Sequence, residues 1–387
     1  MLKAALVLLV STNILVSCGK SDHHGDGGDV YSGPMKITSS KRALTLAIPN
    51  EDEADTSNFK SCINGGYPAN SLDCNYPYID LGKTDPIANI LKKTLISDSW
   101  QKDRLETYLK SAHPQIIEMF SCVKAVEIAG DIRPAHYSSS TAAIYLDADF
   151  FAVTKEERAS VDSAPDYRKR NADALKYRLT RFFTQNGKMQ LSSNLDEAFR
   201  AEMSLAYLLT HELAHACDFK ARELKTSQPS EFLPSSPLDA ASDFAYWLYA
   251  GNPAAKLKID ALTPELIGQA FDTNKFVDFY SYVNKYEHFA ELVQKRMFFE
   301  LYGVVDTDLI IDDNQPELPT SKLSDAKVLW AKSGKICDPG VFELSSAAIK
   351  SILPNFPLSA DASKCLKAKV TIGTPLKDSI NTTDSAE

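Results

Sequence analysis

His211-Glu212-Leu213-Ala214-His215-Ala216-Cys217-Asp218 lies in a run without Gly or Pro that extends from Asn194 to Phe219. That run predicts one long helix, with Ser193 and Asp196 spaced as a capping box at its start. Histidines four apart on a helix project from one face, one turn apart, so both imidazoles can reach a single metal ion. Glu212, beside the first of them, is then aimed at the ion's open position, where a carboxylate can take a proton from a bound water. Tyr207 and Leu208 share the stripe with the two histidines, which places the pair toward the core. An imidazole pair turned inward is costly unless something satisfies it, and a metal would. The bland alternative is a buried helix that carries a His pair by accident.

A catalytic zinc takes three protein ligands and leaves a position for water. The candidate third ligand is Glu287, in Tyr280-Ser281-Tyr282-Val283-Asn284-Lys285-Tyr286-Glu287-His288-Phe289-Ala290-Glu291. Glu287 and Glu291 are four apart, and Leu292, Met297, Phe298 and Leu301 continue the pattern of a second amphipathic helix. Glu291, one turn beyond Glu287, is placed to hydrogen-bond a ligand imidazole. Against this stands the ordinary reading of helical glutamates as a solvated face.

H-E-x-x-H followed by E-x-x-x-E resembles the gluzincin branch of zinc metallopeptidases. The finer pattern Tyr280-x-x-x-Asn284-x-x-Glu287-x-Phe289-Ala290-Glu291 is similar to the lethal-factor-like peptidases within it. The resemblance covers two helices and implies a zincin-like α+β fold, helix-rich, with a small mixed sheet edging the active-site cleft. It implies one catalytic Zn²⁺ on His211, His215 and Glu287, with Glu291 and Asn284 in support. It also implies Glu212 as general base and Tyr280 as the hydroxyl beside the developing oxyanion. Tyr282 and Tyr286 stand close enough in sequence to compete for that last role. A metzincin pattern is absent, because Ala216, Cys217 and Asp218 stand where it needs Gly and His.

The amino terminus reads as an export signal. Lys3 precedes an apolar stretch, Ala4 to Val10, too short to span a bilayer. Leu15-Val16-Ser17-Cys18-Gly19 resembles the lipobox of bacterial lipoproteins, so residues 1–17 are expected to be removed and Cys18 lipidated. Gly19 in the second mature position leans toward the outer membrane or cell surface, with the periplasm-facing leaflet the other option. Six further cysteines in an oxidising compartment permit three disulfides. Proximity suggests Cys62–Cys74 and Cys337–Cys365, leaving Cys122 with Cys217.

Residues 18–45 read as a polar, Gly-rich tether, in which His23 and His24 belong to a solvated linker. Residues 46–84 read as a loop-rich segment, 85–305 as the peptidase domain, 306–372 as a helical extension and 373–387 as a polar tail. Asp312-Asp313-Asn314-Gln315-Pro316 reads as a turn. Within the domain, Ile87–Ala112 and residues 166–186 are expected to be helical. Val123–Ile128 and Ala142–Leu146 are expected to be strands; the resemblance implies a sheet edge bordering the cleft that receives an extended substrate, and Ala142–Leu146 is nominated for it. Between the two motif helices, Glu231–Leu238 reads as a surface loop and Phe244–Tyr249 as a core helix, with a lid over the cleft as the sharper alternative.

The net charge of −9 and the export signal argue against a nucleic-acid partner. A monomer with a peptide or protein substrate is expected, touching the membrane through its lipid alone. Two rivals remain: a noncatalytic binding or adhesion lipoprotein on the same scaffold, and a hydrolase of peptidoglycan crosslinks.

Overall fold

The computed structural model describes residues 40–49, 53–64, 76–82, 85–162, 171–172, 175–185, 188–190, 197–227, 229–256, 258–312 and 325–379. The expected lipobox with Cys18, the tether before Ser40, Cys74, the Ser193/Asp196 capping pair and the turn after Asp312 lie outside the described residues. Those described form two compact units. The first draws on Val16–Asp166 and Glu197–Pro229, the second on Tyr167–Asp196 and Ser230–Glu387. Both mix helices with a small sheet, so the chain is α+β.

The first unit is built on a five-stranded sheet in the order β1-β2-β3-β5-β4, with β1 at Thr45–Leu46, β2 at Thr94–Ile96, β3 at Ala125–Ala129, β4 at His136–Ser138 and β5 at Ala143–Asp147. β2, β3 and β5 are parallel, and β1 and β4 flank them antiparallel. Every residue of β3 and β5 is buried, as expected of central parallel strands. The expected edge at Ala142–Leu146 is therefore corrected. β5 is an inner strand, because β4 pairs along it from His136↔Tyr145 to Ser138↔Ala143 and takes the edge position.

Around this sheet stand α1 (Glu53–Asn64), α2 (Pro86–Lys92), α3 (Ser99–Ser111), α4 (Pro114–Met119) and α5 (Glu197–Glu223). α1 gives order to part of the segment expected to be loop-rich, and its Phe59 and Ile63 join the core under β2, β3 and β5. The single helix expected over Ile87–Ala112 is two helices with β2 between them. α3 starts at Asp98, whose backbone N–H donates to Gln101 Oε1 at 3.3 Å, a local capping signal strong enough to restart the helix.

The second unit holds an antiparallel sheet in the order β7-β6-β8-β9, formed by β6 (Tyr177–Gln185), β7 (Lys188–Gln190), β8 (Val304–Asp312) and β9 (Val328–Ser333). The helix expected over residues 166–186 is instead occupied in large part by β6, paired with β8 over nine residues from Tyr177↔Asp312 to Gln185↔Val304. Alternating Leu179, Arg181 and Phe183 suit a strand, and Arg181 meets its partner Asp308 directly across the ladder at 2.9 Å. The helical extension expected over 306–372 is likewise corrected, since β8 and β9 precede its one long helix, α9 (Pro339–Ile352). The expected boundary at residue 305 falls inside β8.

α6 (Ala240–Ala250), α7 (Pro264–Thr273) and α8 (Lys285–Tyr302) complete this unit. α6 is the core helix expected from its aromatic run. Its Phe244, Leu248 and Tyr249 pack with Phe271, Phe276, Phe279, Tyr280 and Tyr282 in one apolar cluster.

Two disulfides staple the described residues, one in each unit. Cys122–Cys217 has Cα atoms 4.9 Å apart and Cys337–Cys365 has them 5.9 Å apart, both pairings as expected. No helix among the described residues is long and apolar enough to cross a membrane.

Glu127 on β3 is fully buried, and its Oε1 accepts the Ser40 N–H at 3.0 Å. Burial pushes its carboxyl up to about 8; the Ser40 N–H pulls it back in part, and Asp131 adds repulsion. A carboxyl raised in this way stabilises the fold while protonated. The contribution is present below the ordinary carboxylate range and is lost as pH rises toward 8. Glu127→Gln is expected to flatten the fall of unfolding free energy between about pH 6 and 8 by on the order of 1 kcal/mol per pH unit. Urea denaturation at several pH values measures the slope; a variant that keeps the wild-type slope would show Glu127 already ionised in the folded protein.

Candidate metal centre

α5 buries the His-Glu-x-x-His segment completely along its inner face: His211, Glu212, Leu213 and Ala214 have no exposed surface and His215 very little. The helix packs on α4, β4 and β5 within the first unit. Its carboxy-terminal half is tied down at two points. Cys217 is bonded to Cys122, and Lys220 Nζ donates to the Ser121 carbonyl at 2.8 Å. The histidines are thereby held on a long, well-packed helix rather than on a loop.

The two imidazoles converge. His211 Nε2 and His215 Nε2 are 3.1 Å apart, with the rings edge to face at 4.8 Å. A tetrahedral zinc with Zn–N bonds of about 2.0–2.1 Å would separate two imidazole nitrogens by about 3.3 Å. The pair fits such an ion without rearranging the helix. Without an ion, the same distance suits one N–H···N hydrogen bond between neutral rings.

The second motif lies on the second unit. Asn284 caps α8, its Oδ1 accepting the N–H groups of Tyr286 and Glu287, each at 2.9 Å. Glu287 therefore stands in the first turn, where the helix dipole favours a carboxylate. Asn284 thus acts on Glu287 through the backbone, by fixing the turn that presents it. Glu287 and Glu291 are both buried.

The expected amphipathic character of this helix is corrected. Residues 287–299 are buried without interruption, Lys295 and Arg296 among them. Each charge carries its own compensation. Lys295 Nζ lies 3.4 Å from Glu291 and 3.0 Å from Asp278, and also pairs with Asp306. Arg296 pairs with Glu300 at 2.8 Å, donates to the Ser359 carbonyl and stands 3.4 Å from the centre of the Phe342 ring.

Three tyrosines lie near this motif. Tyr282 is fully buried, stacks on Phe276 at 4.4 Å and accepts a hydrogen bond from the Asn274 amide. Burial pushes its hydroxyl well above the ordinary tyrosine range. Those are the marks of a core residue. Tyr280 opens the short turn Tyr280–Tyr282, and its ring meets Tyr249 edge to face at 4.8 Å. Tyr286 is half-buried on the first turn of α8. His288 stacks on Phe276 at 4.3 Å, and burial lowers it to about 3, which keeps it a neutral packing residue.

His211, His215 and Glu287, all buried, each offer one ligand atom of a kind that binds zinc. Sequence reading missed Asp278, Lys295, Asp306 and Asp308, buried on the second unit, and the partly buried Arg181 beside them. Lys295 at four residues from Glu291, and the Asp306-x-Asp308 alternation, were the available signals. No protein-family model, curated protein or solved structure matches this chain.

Asn284→Ala removes both side-chain acceptor bonds at the start of α8. It is expected to cost on the order of 1 kcal/mol of stability, with Asn284→Asp restoring most of it. Chemical denaturation of the three proteins measures this. An Ala variant as stable as the wild type would show that the cap does not hold the turn carrying Glu287.

Proposed function

We propose that this chain is a zinc-dependent peptidase, an endopeptidase anchored through lipid on Cys18 and acting on proteins of the cell envelope or exterior. The observation that carries the reading is the His211–His215 pair: two buried imidazoles with their nitrogens 3.1 Å apart, on a helix that also buries Glu212. A structural metal needs ligands and no base, so an acid beside the first ligand favours catalysis. In this reading Glu287 is the third ligand, and the fold is zincin-like.

Zinc bound there supplies a Lewis acid and lowers the pKa of a coordinated water. The remaining work falls to the chain's own groups. Glu212 accepts a proton from the attacking water on its carboxylate and delivers it to the leaving amine nitrogen. Tyr280 donates its hydroxyl to the carbonyl oxygen of the scissile bond as that oxygen gains charge. Tyr282 is the weaker candidate for this step, since it is fully buried and its hydroxyl oxygen accepts the Asn274 amide. Glu291 accepts the far N–H of a ligand imidazole and so sets its tautomer and tilt.

Glu212→Gln preserves shape and removes the base. The variant is expected to keep its fold and its zinc, read by elemental analysis, while losing on the order of 10²–10⁴-fold in turnover of a quenched peptide library. Tyr280→Phe is expected to lose less, about 10–10³-fold. Wild-type protein that hydrolyses no more than Glu212→Gln on a broad library would favour the binding-scaffold reading. Activity on crosslinked peptidoglycan fragments in place of peptides would move the substrate class.

A further inference from the structure

Glu291 and Tyr280 belong to different segments of the second unit, yet one buried ion network runs to both. Lys295 stands one turn beyond Glu291 with its side chain 2% exposed, and its Nζ is 3.4 Å from Glu291 Oε2 and 3.0 Å from Asp278 Oδ2. Asp278 is fully buried; with its other oxygen it accepts the backbone N–H of Tyr280. The network is anchored in the sheet. Arg181 on β6 pairs with Asp278 and lies 3.4 Å from Asp306 and 2.9 Å from Asp308, both on β8, while Lys295 also pairs with Asp306.

Two cations thus hold four acids, Asp278, Glu291, Asp306 and Asp308, drawn from a loop, a helix and a strand. Such an arrangement is expensive as a stability device, because apolar residues of the same volume would do as well or better. It gives orientation instead. Lys295 pairs with Oε2 of Glu291 and, through its own contacts to Asp278 and Asp306, ties that carboxylate to the sheet. Asp278 fixes the backbone of the turn that starts at Tyr280. Both contacts act on Glu291 and on the Tyr280 turn through charge-assisted bonds in a buried setting.

We propose that Lys295 and Asp278 are positioning residues for the zinc site: Lys295 sets the carboxylate of Glu291 for its imidazole partner, and Asp278 sets Tyr280 for the oxyanion. This rests on the zinc-peptidase reading. The pair works as one device, since the two residues are paired with each other and both are tied to Asp306 on β8, Lys295 directly and Asp278 through Arg181.

The test uses the full chain. Zinc affinity is measured by competition with a chromophoric chelator, and peptide turnover is resolved into kcat and KM. Lys295→Met is expected to weaken zinc binding about 10–100-fold and to lower kcat with KM little changed. Lys295→Arg, which keeps a cation in the network, is expected to recover most of both. Asp278→Asn/Lys295→Met removes one charge of each sign, so it guards against a single variant that fails to fold, and the same fall in zinc affinity is expected of it. Zinc affinity and kcat at wild-type level in Lys295→Met, or in the double variant, would overturn the positioning role while leaving the peptidase reading intact. A wild type that binds no zinc would overturn both.

Discussion

The constraint on which the second unit depends is the burial of charge along α8 and the strands beneath it. An ionised side chain removed from water costs several kcal/mol unless it is paired and hydrogen-bonded. Arg181, Lys295, Asp278, Asp306 and Asp308 are nearly or fully removed from water. Their pairing fixes how β6 lies on β8, where α8 crosses that sheet, and how the chain enters the Tyr280 turn. Removing one partner of such a set leaves a buried charge uncompensated, so these positions are far less tolerant than surface ion pairs such as Lys377–Asp325. Asp308 shows the remaining tension. Burial drives its carboxyl above the ordinary range, against the pull of Arg181 and Lys295.

The elements read correctly from sequence are those whose signal is local. α5 is legible because nothing breaks its run and the His pair has helical spacing. The Phe244–Tyr249 run reads as a core helix for the same reason. The disulfides Cys122–Cys217 and Cys337–Cys365 follow from counting: short separation selects Cys62–Cys74 and Cys337–Cys365, and Cys122 is left with Cys217. What was misread depends on partners far along the chain. β6 carries Arg178 and Arg181, which on sequence alone look like the polar face of a helix. Only Asp308, 127 positions away, makes Arg181 a strand residue. β8 was hidden in an expected helical extension because its burial comes from pairing on both sides. β4 displaces β5 from the sheet edge by a three-residue pairing that no periodicity announces.

The candidate site divides along the same line. His211 with His215, and Glu287 with Glu291, are legible because helical spacing places each pair on one face; Glu212 is legible as the acid next to the first histidine. The cap by Asn284 is legible as a residue but not as a role, since its distance to the N–H groups of Tyr286 and Glu287 depends on backbone geometry at the turn. The preference for Tyr280 over Tyr282 comes from the resemblance; both belong to one aromatic cluster, in which Tyr282 is fully buried and its hydroxyl oxygen accepts the Asn274 amide. Sequence places both tyrosines within the same three residues.

The Cys122–Cys217 disulfide bears on the kind of metal site that α5 can support. Closed structural zinc sites draw heavily on thiolates, commonly two to four of them. Cys217 is the cysteine of α5, two residues beyond His215, and its sulfur is committed to Cys122. A disulfide sulfur carries no negative charge and is a poor zinc ligand beside a thiolate. The bond therefore fixes the helix that carries the histidines and at the same time withdraws the nearest soft ligand in sequence from the pool. In the proposed reading, a metal on His211 and His215 would complete its shell with the Glu287 carboxylate and with water. Such a donor set would leave an exchangeable position beside the buried carboxylate of Glu212, as the proposed hydrolysis requires.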